Sequence, residues 1–166
     1  CLARQGCGGQ LRTLVLNVNF PDSGGSLPLL VEAGCGPKQE TLILGSFMSD
    51  GGPELLTLLS SRGGTPVLSK LSLCLKDLPP VAFLHLARSG FFLGLRTLDL
   101  RCPNLLDDTI LAFLEMVPYL PLETLALQCP LLSDTSFQPL FELCGPSLTS
   151  LSVFDMRSLT DDSLLV

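Results

Sequence analysis

Seven cysteines, a single histidine and two adjacent aspartate pairs are the side chains of this chain best equipped for chemistry. Cysteines held close together could form disulfides or ligate a metal, and beside a histidine one could act as a nucleophile. Their spacing argues against all three. Cys7, Cys35 and Cys144 each open a Cys-Gly-Gly or Cys-Gly-Pro exit and stand four residues before a recurring leucine phrase. Cys102 and Cys129 follow that phrase, Cys74 ends it, and Cys1 lies outside the pattern. Thiols spaced one whole copy apart, with no Cys-x-x-Cys pair, fit buried structural positions, where free cysteine is common. An odd count and the lack of an Asn-x-Ser/Thr site point to a reducing compartment, cytoplasmic or nuclear.

The remaining candidates are no more catalytic. His85 sits among Phe83, Leu84 and Leu86 in a helical stretch and reads as scaffold, so no Ser/His/Asp or Cys/His arrangement follows. Asp107-Asp108 and Asp161-Asp162 resemble metal or acid–base pairs, but they fall at expected helix starts, where carboxylates act as caps. Gly24-Gly25, Gly51-Gly52 and Gly63-Gly64 are turn glycines and complete no phosphate- or dinucleotide-binding pattern. The expectation is a non-catalytic binding protein with no metal and no cofactor.

The phrase that orders these residues occurs six times. Leu11-Arg-Thr-Leu-Val-Leu16 is followed by copies starting at 39, 68, 95, 122 and 148, in steps of 28, 29, 27, 27 and 26 residues. In each, the first, fourth and sixth positions are almost always leucine. A strand alternates its faces with period two, so Leu14 and Leu16 point one way and Thr13, Val15 and Asn17 the other. One short strand cannot bury such a row by itself. Strands stacked side by side and parallel, about 4.8 Å apart, merge the rows into one core, and the residues between phrases supply the crossovers. This period predicts an α/β leucine-rich-repeat solenoid of about six repeats, a horseshoe with its parallel sheet on the concave side and helices on the convex side.

The crossovers carry their own punctuation. Asp22, Asp50, Asp107, Asp134 and Asp161 fall 11 to 13 residues after a phrase begins, which suits helix N-caps. Pro79 and Pro80 fit a first helical turn. Helices are predicted over Leu55–Ser61, Val81–Arg88, Thr109–Met116 and Thr135–Leu143, with a weaker one over Leu27–Ala33. The glycines of the Cys-Gly exits suit the left-handed position that closes a helix. Both ends fall within a copy, so residues 1–166 read as one domain, the ordered middle of a longer chain.

A net charge of −6 with no basic cluster disfavours nucleic acid as a partner. Hydrophobic residues reach 46%, yet their spacing is that of a core and no apolar run is long enough to span a membrane.

The fourth to sixth copies resemble a particular subclass. Leu95-Arg-Thr-Leu-Asp-Leu-Arg-Cys-Pro-Asn-Leu-Leu-Asp-Asp-Thr-Ile-Leu is similar to the cysteine-containing leucine-rich repeat, LxxLxLxxCxxLTDxxLxxL. Leu122-Glu-Thr-Leu-Ala-Leu-Gln-Cys-Pro-Leu-Leu-Ser-Asp, Ser158-Leu-Thr-Asp-Asp-Ser-Leu and the Cys144-Gly-Pro-Ser-Leu exit carry the same likeness. Cys102 and Cys129 stand one residue earlier than the cysteine of that pattern, Met156 replaces it in the sixth copy, and the first three copies match loosely. The subclass is best known from F-box/leucine-rich-repeat proteins, the substrate receptors of cullin-type ubiquitin ligases. The resemblance implies a protein-interaction domain that presents a protein substrate, with a Skp-type adaptor and a cullin joined through an F-box N-terminal to these residues. The alternative is a non-ligase scaffold or assembly factor built on the same repeats.

On the outward strand face, the third positions are Thr13, Thr41, Lys70, Thr97, Thr124 and Ser150, a column that also suits a plain β-branched ladder. The seventh positions are Asn17, Gly45, Cys74, Arg101, Gln128 and Phe154, mixed in the manner a recognition surface needs. Asn17, Lys70, Asp99, Arg101, Gln128 and Phe154 are the candidate partner-binding residues. Phe154 leads as an interface anchor, though it equally suits packing beneath a following copy. Asp99 and Arg101 also make a local surface pair, and Lys76 reads as solvated.

Overall fold

The structure, a computed structural model, describes residues 12–16, 40–45, 68–76 and 78–160. Each leucine phrase forms one short strand. These are β1 (Thr13–Leu16), β2 (Thr41–Leu44), β3 (Lys70–Leu73), β4 (Thr97–Leu100), β5 (Thr124–Leu127) and β6 (Ser150–Val153). They form one sheet in the order β1-β2-β3-β4-β5-β6, every neighbouring pair parallel. Register follows the phrase: Leu14 pairs with Leu42, Leu42 with Leu71, Leu71 with Leu98, Leu98 with Leu125 and Leu125 with Leu151.

This register lays the fourth- and sixth-position leucines in two rows. From Leu42 to Leu127 every member of those rows is at most 2% exposed. Leu151 on β6, with no further strand beside it among the described residues, is 38% exposed. Three helices cross between described strands: α1 (Pro80–Arg88), α2 (Asp107–Met116) and α3 (Asp134–Cys144). Their apolar faces, including Phe83, Leu86, Ile110, Phe113, Phe137 and Leu140, join the strand leucines in a single core. Phe83, Phe92 and Phe113 form an aromatic cluster with centroids 4.8–5.5 Å apart, in edge or tilted geometries that add about 0.5–1.5 kcal/mol per pair to simple burial. The protein is thus an α/β fold with a six-stranded parallel sheet.

The three helices stand where the sequence places them, each starting one or two residues earlier. Pro79 is the N-cap of α1 and Pro80 its first residue, as the double proline suggests. The expected helices over Leu27–Ala33 and Leu55–Ser61 lie outside the described residues, as do Asp22, Asp50 and Asp161. Two local expectations are corrected. Asp107 and Asp134 do not cap their helices; each lies inside the first turn, preceded by Leu106 or Ser133 at the cap. Only Ser133 caps with its side chain, accepting from the Thr135 N–H at 3.3 Å. Gly145 is right-handed, at φ −50° and ψ −44°, because the chain tightens into a 3₁₀ turn over Gly145–Ser147 rather than reversing.

Among the described residues the left-handed glycine is instead Gly90, at φ 77°. There the Phe91 N–H donates to the Leu86 carbonyl at 3.2 Å and the Gly90 N–H to that of Ala87 at 3.1 Å. This pair of bonds closes α1 as a Schellman motif and turns Phe91 into the core.

Candidate functional site

The carboxylates freed from capping tie one copy to the next. Asp107 accepts from the Ser133 N–H at 2.9 Å, from the Ser133 hydroxyl at 2.6 Å and from the Ser136 hydroxyl. Asp134 repeats the arrangement one copy later, accepting from the Thr160 N–H at 3.0 Å and the Thr160 hydroxyl at 2.6 Å. Partial burial of Asp107 works to raise its pKa, but the bonds from Ser133 and Ser136 together prevail and hold it below the ordinary carboxylate value. Asp107 is therefore an anion at neutral pH whose lone pairs serve the start of α3.

The eighth positions clamp the other end of the strands. Cys102 Sγ donates to the Leu73 carbonyl and Cys129 Sγ to the Leu100 carbonyl, each at 3.6 Å. Both side chains are fully buried. Burial pushes the Cys102 thiol up to about 12 and raises Cys129 as well, so both remain protonated donors rather than nucleophiles. Cys144 is buried too, with its thiol on the Leu140 carbonyl of its own helix at 3.1 Å. In the sixth copy Asp155 stands at the eighth position with φ 48°, and Met156 just after it accepts from the Cys129 N–H through sulfur at 3.3 Å.

Between these clamps and the strands lies the seventh column. The N–H of Cys74 donates to the Leu44 carbonyl, that of Arg101 to Leu73, that of Gln128 to Leu100 and that of Phe154 to Leu127, all at 2.8–2.9 Å. The sheet ladder thus runs one residue past β3, β4, β5 and β6, which fixes the backbone of this column there, and the side chains of Arg101, Gln128 and Phe154 are exposed. An open groove of about 240 Å³ follows it across four copies. Cys74 and Lys76 line one end, Arg101, Pro103, Gln128 and Pro130 the middle, and Asp155 the far end.

Of the residues expected to bind a partner, Arg101 and Gln128 come together in this groove. Asp99 orients Arg101 from the strand: Arg101 Nε donates to its Oδ1 at 3.1 Å, and the Ser72 hydroxyl donates to its Oδ2 at 3.1 Å. The bond and charge of Asp99 raise the Arg101 pKa further, so the guanidinium is a permanent cation. Phe154 is 55% exposed and adjoins Asp155 in the chain. Lys70 is exposed at the opposite end of β3 and does not line the groove. Asn17 lies outside the described residues. Lys76 is exposed, as its reading as solvated anticipates, and it lines the groove with Pro103 and Pro130. The two prolines share its ninth position in the fourth and fifth copies, and column reasoning could have found them. Asp155 had no such signal.

His85 is exposed on α1, and among the described residues no cluster of three or more His, Cys, Asp or Glu is placed to hold a metal ion. No helix among them is long and apolar enough to cross a membrane. Comparison with protein-family models, with curated proteins and with solved structures finds no match.

Proposed function

We propose that this chain is a leucine-rich-repeat solenoid serving as a protein-interaction domain, and that it provides the substrate-recognition repeats of a cullin-type ubiquitin-ligase receptor. The horseshoe form, with the sheet concave and the helices convex, rests on the six-copy phrase together with the sequential parallel order of its strands. The observation that carries the binding role is the seventh column. Its backbone is locked by a continued ladder while Arg101, Gln128 and Phe154 stay exposed in a row. Rigidly presented arginine and aromatic side chains lose little entropy on binding and dominate interface energetics.

The receptor role draws on the resemblance of the fourth to sixth copies to the cysteine-containing repeat. Such a domain catalyses nothing; it raises the effective concentration of a bound protein near the transfer machinery. A Skp-type adaptor and a cullin would join through a separate module, in the cytoplasm or nucleus. Affinity purification of the full-length protein from cells, followed by mass spectrometry, tests this. An adaptor and a cullin at near-stoichiometric yield are expected. Another stable complex in their place would make the domain a scaffold, and no reproducible protein partner would sink the interaction reading itself.

A further inference from the structure

We infer that the groove at the strand ends takes the carboxylate side chain of an extended acidic segment in the partner protein, an inference that rests on the interaction reading above. The donors are in place and unspent. Arg101 uses Nε on Asp99, which leaves both terminal nitrogens without a partner among the described residues. Lys76 and the side-chain amide of Gln128 likewise engage no other described group, and all three face the same space. A guanidinium fork beside an ammonium and an amide matches the lone-pair geometry of a carboxylate. The lining carries two cations, Lys76 and Arg101, against one carboxylate, Asp155, in a chain whose net charge is −6.

The dimensions select the kind of occupant. About 240 Å³ falls below the volume usual for a cofactor or small-molecule site, about 300–1,000 Å³, and suits an inserted side chain. Asp99 lies against Arg101, and its charge penalises a phosphate of charge near −2 more than a carboxylate of −1. Asp155 at the far end is already paired with Arg157 at 2.9 Å. Pro103 and Pro130 give the groove an apolar wall with no N–H to satisfy. From Arg101 to Phe154 is two strand spacings, about 10 Å, which an extended peptide covers in about three residues. The segment that fits carries an acidic residue about three positions from an apolar one, the first at Arg101 and Lys76 and the second at Phe154.

Fluorescence anisotropy with the full chain tests this directly. The probe is a short labelled Gly/Ser peptide with a Leu-Ser-Ser-Glu-Ser-Ser-Leu centre, compared with Gln and phosphoserine versions. The Glu peptide should bind at least about tenfold more tightly than the Gln peptide, the value of one charge-assisted contact. Arg101→Gln and Lys76→Gln should each weaken the Glu peptide by about tenfold and leave the Gln peptide unchanged, with unaltered thermal unfolding. Arg88→Gln, exposed on α1 away from the groove, should change nothing. Equal binding of the Glu and Gln peptides, no binding, indifference to Arg101→Gln and Lys76→Gln, or tighter binding of the phosphoserine peptide would overturn the assignment. If the peptides fail while the chain still captures its cellular partner, only the groove chemistry falls. A chain that captures no partner loses the interaction reading as well.

Discussion

At the scale of single residues, two side-chain types serve the two ends of the fourth and fifth copies. Aspartates at the helix starts hold the following copy, and cysteines at the strand ends hold the preceding one. Asp107→Asn keeps the shape of the side chain but places an amide against hydroxyl and N–H donors, so it should cost about 1–3 kcal/mol at neutral pH. The pH dependence has a definite sign. Because the folded pKa of Asp107 lies below its ordinary value of 3.8, its contribution is present above that value and lost as pH falls through the folded one. Urea unfolding should therefore show a gap between the parent and Asp107→Asn at neutral pH that narrows below about pH 3.8. An equal gap in acid would contradict the charge-based role. Among the described thiols, Cys74 is half-buried while Cys102, Cys129 and Cys144 are buried. Brief alkylation of the native protein, read by peptide mass spectrometry, should label Cys74 well before those three. Prior labelling of Cys102 or Cys129 would argue against the thiol clamps. Their placement as structural thiols was legible from column spacing alone. Their bonds to the Leu73 and Leu100 carbonyls were not, because a partner one copy away has no local signal.

At the scale of elements, strand positions and register were legible because period-two alternation and a fixed phrase constrain the same residues. The positions of the three described helices were legible to within two residues. The misreading lay at the ends: Asp is a favoured cap, yet the competing donors of the next copy draw its side chain sideways and leave the cap to Leu106 or Ser133. Closure of α1 at Ser89-Gly90 was a missed instance of the glycine rule that was applied instead to Gly145. Burial within the strands sets the expected cost of truncation. Leu98→Ala and Leu125→Ala, each removing a side chain about 1% exposed, should cost about 2–5 kcal/mol by urea unfolding. Leu151→Ala on β6, where the side chain is 38% exposed, should cost clearly less. Equal costs for all three would mean that β6 is covered in solution.

At the scale of the whole molecule, stacking turns a weak local pattern into a core and, on the other side, into a surface. The strand leucines are buried by neighbouring strands together with the crossover helices, and the same register sets the seventh-position side chains of the third to sixth copies side by side. The surface was partly legible in the sequence. Arg101, Gln128 and Phe154 follow from the seventh column, whereas the contribution of Asp155 depends on a left-handed turn that no spacing announces. Lys70 was drawn in by its column, but the strand's length places it at the far end from the groove. A face assembled from several copies should weaken on loss of one contact and fail on loss of two.

Capture of cellular partners by the full-length protein, compared between the parent and Arg101→Glu with Phe154→Ala, is the most direct measurement of whether this face binds. Thermal unfolding of both proteins should be followed in parallel. Loss of the parent's stoichiometric partners by the double variant, at a nearly unchanged unfolding temperature, is the expected result. Undiminished capture by the double variant, or a loss that appears only together with unfolding, would contradict a recognition surface at the strand ends.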